Sequence, residues 1–160
     1  MTEPKRIADQ LRRAFDGDAW SGSSLQQTLT GITAAQAAAY PWPGVHTIGE
    51  LVRHLASWTA TAAQRVQSRE HTPMTRDDWP AFPVVADEAA WLRARQELHE
   101  AHEQLVALVE ALPTAELDTV LGDVRERADG SGVSIYVLLH GIIQHYLYHA
   151  GQIALLRKFV

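Results

Sequence analysis

Two histidines, His145 and His149, stand four residues apart in the segment His145-Tyr146-Leu147-Tyr148-His149. On a helix that spacing puts both imidazoles on the same side, one turn apart, where they can converge on a single ion. Nitrogen donors at about 2.0–2.1 Å suit zinc and similar divalent metals. A pair alone does not define a site, because helical histidine pairs also arise at core boundaries without a metal. His54 is a third donor. Leu51 precedes it by three residues and Trp58 follows it by four, so it lies at the edge of an apolar helical stripe. A buried imidazole there needs partners for its nitrogens. Ligation is one solution, and a carbonyl or water is another. Three imidazoles from two helices leave positions open for water or substrate, as catalytic centres do.

The remaining histidines are read differently. His46 is a loop residue within reach of the site, His71 sits exposed in a connection, and His99 faces solvent. His102 lies nearer a packing seam and is a reserve ligand, whereas His140 points away from His145 and is structural. Glu50 stands one turn before His54 and reads first as a capping-box glutamate, second as a catalytic base or a partner behind a ligand. Gln152, one turn after His149, is a candidate for orienting substrate or water. Trp58 and Tyr148 adjoin the histidines by helical geometry and are expected to wall a pocket, while Trp42, Trp79 and Phe82 read as ordinary packing.

These residues need long helices to position them, and the pattern supplies four. The first spans about Pro4 to Phe15, with Ile7, Leu11, Ala14 and Phe15 on one face. Short helices are expected around Leu25–Leu29 and Ala34–Ala39, before the breaker Tyr40-Pro41-Trp42-Pro43-Gly44. The second long helix runs from about Thr47, its N-cap, to Arg69. A proline- and aromatic-bearing connection follows, from Glu70 to Ala86. The third helix is capped by Asp87 and ends near Leu112, before Pro113. Trp91, Leu98, Leu105 and Leu112 recur along it every seven residues. A polar loop covers 114–132. The fourth helix, about Val133 to Lys158, is apolar nearly all round and is expected to be the most buried of the bundle. The fold class is therefore all-α, a four-helix bundle in one domain over residues 1–160.

Bulk properties narrow the partners. The chain carries 14 Lys and Arg against 19 Asp and Glu, net −5, with no basic run, which argues against nucleic acid. It has no cysteine, so disulfides, thiolate ligands and a cysteine nucleophile are all excluded. The most apolar stretch is interrupted by His140, Gln144, His145, His149, Gln152, Arg157 and Lys158, a load unsuited to a membrane span. With no apolar leader at its start, the protein is read as cytoplasmic. Several metal and nucleophile motifs are missing: His-Glu-x-x-His, Glu-x-x-His, a Walker-type phosphate loop and Gly-x-Ser-x-Gly.

Two segments carry a resemblance. The stretch from Val45-His46-Thr47-Ile48-Gly49-Glu50 to His54-Leu55-Ala56-Ser57-Trp58 resembles the first metal-ligand helix of the DinB-like (DinB/YfiT) superfamily. His145-Tyr146-Leu147-Tyr148-His149-Ala150-Gly151-Gln152-Ile153 resembles its second motif. The resemblance implies an up-down-down-up four-helix bundle and a nickel or zinc ion held by His54, His145 and His149. It also implies thiol-dependent S-transferase chemistry with a low-molecular-weight thiol such as bacillithiol or mycothiol, and a homodimer.

The leading expectation is thus a metal-dependent transferase that conjugates such a thiol to a small electrophile. The nucleophile would have to come from outside the cysteine-free chain. A hydrolase, in which the ion converts water to hydroxide, is the close alternative. A non-catalytic ligand-binding or regulatory bundle is the third.

Overall fold

The computed structural model describes residues 1–123, 125 and 130–160. Among these it has six α-helices: α1 (Glu3–Phe15), α2 (Leu25–Leu29), α3 (Ala34–Ala38), α4 (Ile48–Ser68), α5 (Glu88–Ala111) and α6 (Ile135–Leu156). A short 3₁₀ turn spans Thr114–Asp118, and a two-stranded antiparallel ladder joins β1 (Val120–Leu121) to β2 (Val133–Ser134).

The long helices begin where the chain offers an oxygen to their first free amides. The Thr47 hydroxyl accepts from the Glu50 amide at 3.1 Å, and the Glu50 carboxylate accepts from the Thr47 amide at 2.8 Å. This is the capping box expected from the sequence. Asp87 caps α5 through the Ala90 amide at 2.7 Å, and Ser134 caps α6 through that of Val137 at 3.3 Å. Each such cap contributes about 1 kcal/mol. Helix α4 packs chiefly on α5, while α6 lies against α4, α1 and α2. The seven-residue series Trp91, Leu98, Leu105 and Leu112 is buried throughout, as its spacing requires.

Two expectations are corrected. Part of the 114–132 loop is ordered as the 3₁₀ turn and β1, and Val133–Ser134 pair with β1 rather than opening α6; residues 124 and 126–129 lie outside the described residues. A two-residue strand is too short to leave an alternating pattern. Helix α6 is also not the most buried member. Val137, Tyr148 and Leu155 are exposed along it, and α4 buries more of its length. Apolar composition marks what a helix could bury, not what its neighbours cover.

The connection from Glu70 to Ala86 is strapped across α4. The Phe82 ring fills a notch at Gly49, where a Cβ would come within 2.3 Å of the ring. Only a glycine permits that approach. The Arg53 guanidinium donates to the Ala81 carbonyl, and the Trp58 indole donates to the Asp78 carboxylate at 2.7 Å.

His102, the reserve ligand of the sequence reading, belongs to the core. It is fully buried and stacks on Phe15 at 3.8 Å. Its Nδ1 lies 3.4 Å from the Tyr146 hydroxyl, which in turn lies 3.1 Å from that of Thr59. Burial, helped by the nearby His99 and Arg12 charges, lowers its pKa from the ordinary 6.5 to about 3. The unfolded chain therefore takes up a proton below pH 6.5 that the folded chain refuses until about pH 3. Stability should fall across that window by about 1 kcal/mol per pH unit from this residue. Urea titrations at several pH values should show a shallower acid decline in His102→Gln than in the parent; equal slopes would contradict the assignment.

Candidate metal centre

The capped start of α4 fixes where its side chains point, and His54 projects from it toward α6. There it meets His145 and His149, one turn apart on α6. His54 Nε2 is 3.0 Å from His145 Nε2, and His149 Nε2 is 2.9 Å from the same atom. The candidate ligand atoms of the three all lie within 4.8 Å of one another.

The outer nitrogens decide which atoms face inward. His54 Nδ1 donates to the Asp78 carbonyl at 2.7 Å and lies 3.1 Å from the Asp78 carboxylate. His149 Nδ1 donates to the Gln152 side-chain oxygen at 2.6 Å. Both acceptor oxygens lack a proton to give, so these rings carry theirs on Nδ1 and present bare Nε2 lone pairs to His145 Nε2. Lone pairs crowded together repel unless a positive centre, a metal ion or a proton on His145 Nε2, lies between them. In tetrahedral ligation at about 2.05 Å, neighbouring nitrogens sit about 3.3 Å apart, close to the spacing here. The three histidines therefore fit a divalent ion, and the Asp78 and Gln152 bonds are the orienting contacts that ligating imidazoles normally make.

Electrostatics agree. Burial first, then the neighbouring imidazoles, lowers the His145 pKa to about 3. Burial, with smaller effects of His54 and His46, lowers that of His149 to about 4 despite the opposing Gln152 bond. Both rings are neutral at pH 7, as ligation demands.

The centre opens on a cavity of about 620 Å³. His145, His149, Gln152 and Tyr148 all border it. Trp58 does not; it lies behind His145, edge-on at 6.5 Å, and lines a separate, smaller hollow. Glu50 is held in its capping box, where its carboxylate also accepts from the Tyr40 hydroxyl at 3.0 Å and lies 3.3 Å from His46 Nδ1. His46 in turn borders the cavity.

Sequence reasoning missed Asp78 and Trp79. Trp79 was read as loop packing, yet its ring is sandwiched between His54, at 3.8 Å, and His46, at 3.7 Å, and both stacks are nearly parallel. The one signal available was the aromatic content of a long connection, which marks a loop as functional without saying which residue acts.

Helices bundled around inward-facing imidazoles, with the trio shared between α4 and α6, make a helical bundle with a candidate three-histidine metal site. Residues 18–153 match the sequence profile of the DinB superfamily, and the chain belongs to that superfamily. Its fold is similar to that of a conserved protein from Enterococcus faecalis known from a crystal structure. The TM-score is 0.68 at 19% identity, over 100% of this chain and 98% of that one. No curated protein matches the chain. Among the described residues, no helix is long and apolar enough to cross a membrane.

Proposed function

We propose that this protein is a metal-dependent enzyme, with zinc or nickel held by His54, His145 and His149, that conjugates a low-molecular-weight thiol to a small electrophile. The observation that carries this reading is the convergence of three imidazole nitrogens at the wall of a cavity large enough for a substrate. A divalent ion held there supplies Lewis acidity, which lowers the pKa of a thiol that meets it.

The chain's own residues do the rest. Three neutral imidazoles bring no negative charge and leave the ion's charge available. Trp79 covers one face of His54 and keeps water from it. His46, backed by Glu50, is the proton acceptor on the cavity wall; Glu50 acts through it as a positioning residue. The reaction forms a bond from sulfur to the electrophilic carbon and breaks the bond from that carbon to its leaving group, which departs with the electron pair. The thiol proton passes to His46 and then to solvent. The same His46–Glu50 pair favours, as a second reading, a hydrolase that activates water.

Incubation of zinc- or nickel-loaded protein with a thiol and 1-chloro-2,4-dinitrobenzene should yield the thioether, and His46→Gln should slow it by about 10²-fold. Cleavage of p-nitrophenyl esters without any thiol, together with no thioether, would overturn the transferase in favour of the hydrolase.

A further inference from the structure

The cavity beside the three histidines has walls of one chemical kind. Trp42, Trp79, Tyr148, Leu155 and Val45 form them, and none of its lining residues is Asp, Glu, Lys or Arg. Those five side chains keep between 36% and 64% of their surface exposed. Large apolar groups gathered at that exposure around one opening leave unsatisfied surface for a ligand to cover. The charge at the floor is equally specific. A divalent ion on three neutral imidazoles would keep positive charge toward the opening, offset in part by the Asp78 carboxylate behind His54 and the Glu50 carboxylate behind His46.

We infer that the cavity takes a monoanionic ligand with a single charged atom directed at the three imidazoles and an apolar, ring-bearing body lying against Trp42, Trp79, Tyr148 and Leu155. This rests on the metal-centre reading above and names the substrate class for it. A polyhydroxylated body suits the cavity poorly. Its hydroxyls would give up water and meet indole, phenol and alkyl surface, with Gln152 and the imidazoles the main polar groups at hand. A second charge on the ligand would have no counter-charge in the walls.

Two thiols that share a head and differ in body test this. Zinc-loaded full-length protein is titrated with 2-phenylethanethiol and with 1-thio-β-D-glucose, read by calorimetry and by the fluorescence of the wall tryptophans. The phenyl thiol should bind about 30-fold more tightly, from the apolar area it covers. Tyr148→Ser and Leu155→Ser, both at exposed positions, should each reduce that preference several-fold. Equal or tighter binding of thioglucose, or no binding of the phenyl thiol by zinc-loaded protein, overturns the ligand class while the metal centre stands. A protein that takes up no zinc, or whose His54→Ala variant retains it, removes the metal centre and this inference together.

Discussion

Replacing His54 or His149 with alanine should lower zinc affinity by on the order of a thousandfold while leaving the helical fold in place. Each ring supplies one of only three donors, and its loss also removes the N–H donor of an orienting pair, His54 to the Asp78 carbonyl or His149 to the Gln152 oxygen. The fold should survive because the apolar core of the bundle is formed by other residues, and alanine favours helix at both positions. Competition against a calibrated chelator gives the affinity, and far-ultraviolet circular dichroism gives the helix content. Unchanged metal affinity in either variant would remove the centre.

The second large effect belongs to Phe82. Truncation to alanine should cost about 3–4 kcal/mol in urea unfolding, since the ring is buried against Gly49 and edge-on to Trp91 at 6.1 Å. Gly49→Ala should also destabilise, by about 1–3 kcal/mol, because its new Cβ would overlap the Phe82 ring. The two should be strongly non-additive: in the Phe82→Ala background the Gly49→Ala penalty should vanish, since the group it strikes is gone. Additive losses would mean that the ring does not occupy the notch. Loosening this strap should in addition weaken metal binding, because Asp78 and Trp79 reach His54 only while the segment is held on α4.

Much of this was legible in the sequence. Helix limits follow from caps and breakers, and Thr47, Asp87 and Pro113 act where their chemistry says they should. The three candidate ligands are placed by helical spacing together with the resemblance of their two segments to DinB-like motifs, because residues on regular elements inherit a predictable direction. What escaped lies off such elements. Asp78 and Trp79 come from a segment with no period, and their approach to His54 depends on the Phe82 notch, which no local pattern encodes. Glu50 fits its capping box as expected, yet its link to His46 and Tyr40 needed coordinates. The exposed side of α6 was hidden by its composition, because a residue that faces a binding cavity and one that faces the core can both be leucine or tyrosine.

The small ladder ahead of α6 has a bearing on the centre that its size conceals. Gly132 donates to the Leu121 carbonyl and Ile135 to that of Thr119, so the helix leaves its starting point with its rotation about its own axis already set. Every residue added or removed between that clamp and His145 would swing both α6 imidazoles by about 100°. Length changes on the far side of β2 have no such lever. The aim of two of the candidate ligands is thus clocked by four residues of strand.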